Sequence, residues 1–99
     1  MTIIISKSPK LSKKYVATIT NDGIIKDIYF GAAGFQDYTI HKDDERKERY
    51  IKRHAKRENW DNPLTSGFYS RWVLWNKKTI EESIDDINKR FPKLHVRLK

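Results

Sequence analysis

The chain has 99 residues, the size of one domain, with 37% hydrophobic and 34% charged residues and a formal net charge of +8. Its longest aliphatic run, Ile3 to Ile5, is far shorter than the ~20 apolar residues that cross a bilayer, and no apolar stretch of signal-peptide length opens the chain, so we expect neither a membrane span nor a signal peptide. The absence of cysteine excludes disulfides and Cys-ligated metal sites, and it favours a reducing compartment, the cytosol or the nucleus.

The first third of the chain has the composition of strands. Residues 15–20 and 24–30 are rich in β-branched and aromatic residues, and they flank Asn21-Asp22-Gly23. Asn and Gly tolerate the positive φ of tight hairpin turns, so this pattern predicts an antiparallel hairpin. We expect Thr2 to Ser6 to add a third strand, and Gly31 and Gly34 to end the second hairpin strand.

Residues 39–58 predict one helix, with Thr39 or His41 as the N-cap. Acidic residues occupy its first turn and basic residues its last turns, an order that complements the helix dipole. Its apolar face is narrow, so we expect the helix to contact the core along one stripe and to leave the rest in water.

The remainder predicts two more helices and a final segment. Ser66 is placed to cap a short helix, and Thr79 with Glu82 forms a capping box before a stripe of apolar residues that Pro92 ends. Leu94, Val96 and Leu98 then alternate with basic residues, as in a short strand or an extended basic tail. We therefore expect a single small α+β domain over residues 1–99: an N-terminal antiparallel β-hairpin or three-stranded sheet, then three helices, one of them short.

No constellation of residues in the sequence points to catalysis. His41 and His54 stand thirteen residues apart on the predicted helix, roughly 20 Å at 1.5 Å per residue, and cannot share a metal ion. Asp43 and Asp44 fit a helix start better than a nuclease site, and the acidic residues from Glu81 to Asp86 fit a solvated helix face. We expect no enzyme activity and no catalytic, cofactor-binding or metal-binding residues.

Basic residues form two concentrations. The first is a predicted partner-binding face of the helix, and the second is the predicted basic tail. A surface of this kind binds phosphates, docks on an acidic protein surface or serves only solubility, and the sequence leaves all three open. The face comprises Arg46, Arg49, Arg53, Lys56 and Arg57, and the tail comprises Lys89, Arg90, Lys93, Arg97 and Lys99.

Large aromatic residues are concentrated between positions 60 and 75. Such residues usually form the core of a small domain, but Trp and Tyr are also favoured interface anchors. The predicted aromatic anchors are Trp60, Phe68, Trp72 and Trp75.

Two strings in this part of the chain resemble a known family. Residues 34–43 read GFQDYTIHKD and residues 70–76 read SRWVLWN, and the similarity extends over residues 31–85. The patterns GFxDYTxHKD and SRWxLWN resemble a family of small, basic, uncharacterised proteins of nucleocytoplasmic large DNA viruses, which include giant, algal and iridovirus-like viruses.

The resemblance implies a viral setting and no assigned enzyme activity. It implies a virion structural protein, a minor capsid or cement component that bridges major capsid subunits, formed in the host cytoplasm at the assembly site and then carried in the virion. A small basic protein bound to the DNA or RNA of the viral genome is the alternative. The expected partners are therefore capsid proteins with acidic surfaces, or nucleic acid.

Overall fold

The computed structural model describes residues 1–99 as a four-stranded sheet with helices packed on one face. The strands are β1 (Thr2–Lys7), β2 (Lys13–Asn21), β3 (Ile24–Ala32) and β4 (His95–Leu98). Their order in the sheet is β3-β2-β1-β4, with β2 antiparallel to β1 and β3, and β4 parallel to β1. The predicted α+β fold is confirmed, and the C-terminal segment is a strand and not a tail.

The hairpin between β2 and β3 forms at the predicted turn. Asn21 pairs with Ile24, and the two residues between them, Asp22 and Gly23, have φ of 51° and 81°. Positive φ at both central residues is the geometry of a type I′ turn, whose twist matches that of the flanking strands. The local sequence thus sets the register of the whole β2–β3 ladder.

The helices are α1 (Tyr38–His41), α2 (Asp44–His54), α3 (Ser66–Tyr69), which continues into a π-helical turn (Ser70–Leu74), and α4 (Ile80–Arg90). The prediction of one helix over 39–58 is wrong. Lys42 adopts a left-handed conformation with φ of 55°, and the Asp43 side chain accepts hydrogen bonds from the Glu45 and Arg46 N–H groups and so starts a second helix. Asp37 caps α1 and Asp43 caps α2, in place of Thr39 or His41.

The caps of the later helices also differ in detail from the prediction. Thr65, and not Ser66, caps α3. Thr79 caps α4 as predicted, with its hydroxyl oxygen accepting from the Glu82 N–H at 3.1 Å. The return bond of the capping box is different, because the Glu82 carboxylate accepts from the Thr79 hydroxyl at 2.9 Å and not from the backbone.

The core lies between the helices and one face of the sheet. Alternate residues of each strand contribute to it, so the side chains of this cluster share that face, and the opposite face carries no helix although Val16 is buried there. None of the helices has the length and apolar character needed to cross a membrane. The sheet contributes Ile3, Ile5, Ala17, Ile19, Ile28, Phe30 and Val96, and the helical layer contributes Phe68, Tyr69, Trp72, Val73, Leu74, Ile84 and Ile87.

Candidate interaction surface

A stack of aromatic rings fixes one side of α2 to the chain that follows the π-helical turn. The Tyr50 ring lies against Trp75 at 4.3 Å between centroids, and His54 covers its other face at 4.2 Å. Lys47 on the same helix donates to the carbonyl oxygen of Asn76 at 2.6 Å. Burial of this side raises the pKa of Tyr50 to about 12. Because this side is packed, the opposite side of α2 faces outward.

The predicted basic face lies on that outward side, but the helix carries only part of it. Arg46, Arg49 and Arg53 are exposed positions of α2. The prediction that Lys56 and Arg57 lie on the same helix is wrong because α2 ends at His54, so they lie in the turn that follows. We refer to these five residues as the basic segment.

Nearly all of the basic segment lacks a carboxylate partner. Arg49 has a carboxylate oxygen of Glu45 at 3.9 Å, with both side chains more than half exposed, a pair worth little in water. The other four members form no ion pair within 4.0 Å. The segment therefore presents positive charge that the protein itself does not neutralise.

The residues predicted as a basic tail are distributed over α4, the turn that follows it, and β4 with the residue after it. Lys89 and Arg90 belong to the last turn of α4, and Arg97 lies on β4. The N–H of Lys99 donates to the carbonyl oxygen of Ile5 at 2.9 Å, so even the last residue is joined to the sheet. Arg90 pairs with Asp86 at 3.2 Å, whereas Lys93 forms no ion pair.

Two of the four predicted aromatic anchors are core residues. Phe68 is completely buried and Trp72 is 8% exposed, so neither can reach a partner, and for these two residues the prediction is wrong. They are buried because α3 and the π-helical turn pack directly on the sheet and on α4. Trp60 and Trp75 are half-buried. The most exposed aromatic residue is Phe35, in the loop after β3, at 71%.

Arg71 has a structural role that the sequence motifs do not indicate. Its guanidinium lies over the ring of Trp72 at 4.3 Å and 5.4 Å from the centroid of Trp60, and it donates to the carbonyl oxygen of Trp75 at 2.8 Å. Burial lowers the pKa of Arg71 from its usual value. The one signal in the sequence is its position as the single charged residue between positions 66 and 76.

The histidines and carboxylates do not converge on a common centre. His41 accepts the N–H of Asp43 at its Nδ1 at 2.9 Å, His54 belongs to the aromatic stack, and His95 lies on β4. No group of three or more His, Cys, Asp or Glu side chains is arranged to hold a metal ion. No surface depression brings a histidine together with a carboxylate.

Comparison with known proteins identifies one related group. A family model described as a family of unknown function (DUF5754) matches residues 3–54, just over half of the chain. The matched range contains β2, β3, α1 and α2, and all of β1 except its first residue, Thr2. No curated protein and no solved structure matches the chain.

Proposed function

The chain belongs to this family of unknown function, and we propose that it is a non-catalytic structural protein of a virion, which bridges major capsid subunits by docking its basic segment on an acidic protein surface. The observation that carries the proposal is the basic segment itself. Its five cations are exposed, and four of them have no carboxylate within 4.0 Å. Unpaired surface charge of one sign steers association with a surface of the opposite sign and fixes its orientation.

The aromatic stack supports a docking role for this segment. Tyr50 and Trp75 hold α2 by its inner side, so Arg46, Arg49 and Arg53 project from a helix with a fixed orientation. A rigid arrangement of side chains loses less conformational freedom on binding than a mobile one. A basic segment on a fixed helix is therefore suited to a defined protein surface.

The two sequence strings that resemble the viral family lie in the segments that hold α2 in place. Residues 34–43 include the cap of α1, all of α1, and Asp43, which caps α2. Residues 70–76 include the π-helical turn and Trp75, against which Tyr50 packs. The resemblance to small proteins of large DNA viruses thus rests on residues that position the basic segment, which supports a common docking role.

Nucleic acid is the second candidate partner, and the net charge of +8 together with the unpaired cations favours it. The aromatic rings weigh against single-stranded nucleic acid, which binds by stacking bases on open rings. Both faces of Tyr50 are covered by other rings, and Trp72 lies under Arg71 and Arg90 at 4.3 and 4.5 Å. A protein partner therefore fits these covered rings better than a single-stranded nucleic acid does.

Charge reversal tests the proposal. The test variant changes Arg49, Arg53 and Arg57 to Glu, and the matched control changes Lys7, Lys13 and Lys78, three exposed lysines outside the segment, to Glu. Both variants alter the net charge equally. We expect the control to enter virions at the level of the unmodified protein and the test variant to be depleted from them by about tenfold or more, a deficit of ~1.4 kcal/mol. Equal incorporation of the two variants would contradict a docking role for the basic segment.

The same variants separate the two partners. If duplex DNA is the partner, the logarithm of its affinity for the unmodified protein falls steeply with the logarithm of salt concentration. The slope for the test variant is then lower by about one for each phosphate that the variant no longer neutralises. We expect instead that the affinity for duplex DNA depends only weakly on salt concentration, with the same slope for the two variants.

A further inference from the structure

The outward backbone groups at the two edges of the sheet differ in their hydrogen bonding. At β4, the side-chain amide of Asn88 takes the place of a neighbouring strand. Its Nδ2 donates to the carbonyl oxygen of Val96 at 2.9 Å, and its Oδ1 accepts from the Val96 N–H at 2.8 Å. Since β4 has only four residues, this pair occupies much of its outward hydrogen-bonding capacity. The β4 edge is therefore closed to a further strand.

No side chain occupies the outward backbone groups of the β3 edge in this way. Asn21 and Ile24 close the turn as a hydrogen-bonded pair, so alternate residues of β3 bond to β2 and the intervening residues direct their N–H and C=O groups outward. The outward residues are Ile25, Asp27 and Tyr29. No loop, helix or side chain forms a hydrogen bond with their backbone groups. Three consecutive outward positions are thus unoccupied.

The exposure of β3 is unusual for an edge strand. The strand has nine residues and no proline, and Ile24 and Ile25 are 72% and 69% exposed. Edge strands that must stay unpaired are usually short, interrupted by proline or covered. Exposed β-branched residues beside unpaired backbone groups favour strand addition, in which main-chain bonds give affinity and side chains give specificity.

We propose that the β3 edge binds an extended segment of a different protein, which joins the sheet as a fifth strand. A second copy of this chain is a poor occupant. Two β3 edges can pair symmetrically, antiparallel and through their outward groups, in a register centred on Asp27 or on Lys26, but each of these places like charges opposite each other. A further register is centred on Ile28. The last register requires Gly31 to pair, and its φ of 78° takes it out of the extended conformation.

The side chains of β3 define the chemistry of the partner segment. Ile25 and Tyr29 lie on the sheet face that carries no helix, on either side of Asp27, whose carboxylate accepts from the Thr18 hydroxyl, so the segment presents apolar side chains beside the isoleucine and the tyrosine. Lys26 lies on the other face, has no ion-pair partner, and favours an acidic residue opposite it. The chain carries a net charge of +8, which further favours an acidic segment. This proposal depends on the strand edge and not on the basic segment, so each can fail without the other.

The probe is a synthetic octapeptide with blocked ends. Valine occupies one face of the extended peptide, and threonine and two glutamates occupy the other. The peptide is titrated into the full-length protein, labelled with nitrogen-15, while amide hydrogen exchange is followed by NMR. We expect exchange at the amides of Ile25, Asp27 and Tyr29 to slow by about tenfold or more, and exchange at the Val96 amide to be unchanged. Absence of saturable protection at these three amides, or protection at Val96 instead, would overturn the proposal.

A pair of variants at one position isolates the backbone contribution. Both variants lose the bond from the Thr18 hydroxyl to the Asp27 carboxylate. Asp27→Ala retains the outward N–H, whereas Asp27→Pro removes it without breaking a backbone bond to β2. We expect peptide affinity to change less than about threefold in the first and to fall about tenfold or more in the second. Equal affinities of the two variants would overturn strand addition.

Two further measurements keep the test independent of variant folding. A peptide N-methylated at every amide has no N–H donor and carries methyl groups along both of its edges, so we expect it to leave the unmodified protein unaffected, and binding equal to that of the parent peptide would contradict the proposal. Sedimentation should show a monomer at the NMR concentration. A dimer that protects the same three amides would overturn the proposal, because the occupant would then be a second copy.

Discussion

The rings of Trp75 and Tyr50 are parallel, with an angle of 1° between their planes and 4.3 Å between their centroids. Tyr50 is the one buried residue of α2, so this stack is the main attachment of the helix that carries Arg46, Arg49 and Arg53. The two residues come from segments 25 positions apart in the sequence. The orientation of the basic segment therefore depends on a contact made outside it.

Replacement of Tyr50 by Ala should detach α2. The change removes a buried ring and its aromatic pairs, and we expect the free energy of unfolding to fall by about 3 kcal/mol or more, as for other large aromatic residues replaced by Ala. Tyr50→Phe keeps the stack and should cost about 1 kcal/mol or less. Urea unfolding measures both, and a Tyr50→Ala protein as stable as Tyr50→Phe would show that the stack does not hold the helix.

Asp37 should be among the most sensitive polar positions. Its carboxylate caps α1 through the Thr39 N–H and accepts from the Lys14 ammonium at 2.7 Å, with the two side chains 3% and 16% exposed. Asp37→Ala removes the cap and leaves the lysine without its anion, and we expect a decrease in stability of about 3–5 kcal/mol. Asp37→Asn retains an oxygen for the cap and should cost less. Thermal unfolding of the two variants decides this, since equal decreases would mean that the cap contributes nothing.

Acid should weaken the junction between α1 and α2 through His41. Burial lowers the pKa of His41, and the positive charges of Arg46 and Lys14 lower it further. The negative charges of Asp43 and Asp37 raise it by less. The folded protein therefore binds the His41 proton less readily than the unfolded chain, whose histidine pKa is about 6.5. This contribution to stability is present above about pH 6.5 and is lost as the pH falls below it.

The measurement is urea unfolding at pH 7 and pH 5.5 for the unmodified protein and for His41→Gln. We expect the unmodified protein to lose more stability than the variant between these two pH values, by up to about 1.4 kcal/mol per pH unit. Parallel decreases in both proteins would assign the pH dependence to other groups.

Two glycines with positive φ should differ in their tolerance of a side chain. A Cβ at Gly31 would lie 2.8 Å from Cδ1 of Leu74, whereas a Cβ at Gly23 would meet nothing within 4 Å. Both substitutions to Ala incur the left-handed backbone penalty of about 1–2 kcal/mol, and Gly31→Ala adds a clash with the core. The melting temperature should fall further for Gly31→Ala, and a larger fall for Gly23→Ala would contradict the close approach.

The strands and the hairpin could be predicted from the sequence because their signals are local. Asp22 and Gly23 dictate the turn, and the β-branched and aromatic residues on either side of it favour strands. The sequence does not reveal the division between α1 and α2, because an acidic residue at position 43 fits both the first turn of a helix and an N-cap. Only its bonds to the Glu45 and Arg46 N–H groups distinguish the two.

The candidate sites were less accessible to sequence reasoning because they depend on distant contacts. Phe68 and Trp60 are both large aromatic residues, and only the folded structure shows that the first is completely buried and the second half-buried. The parallel pairing of β4 with β1, and with it the plug formed by Asn88, joins opposite ends of the chain. The open edge of β3 becomes visible only when the order of all four strands is known.

The most direct test of the central proposal is fractionation of purified virions with graded detergent and salt, with this protein followed by mass spectrometry. A structural protein that docks on capsid subunits should remain with the shell in a nearly fixed ratio to the major capsid protein. Recovery with the genome and release by salt would contradict the proposal and support nucleic-acid binding. Absence from both fractions would contradict any structural role in the virion.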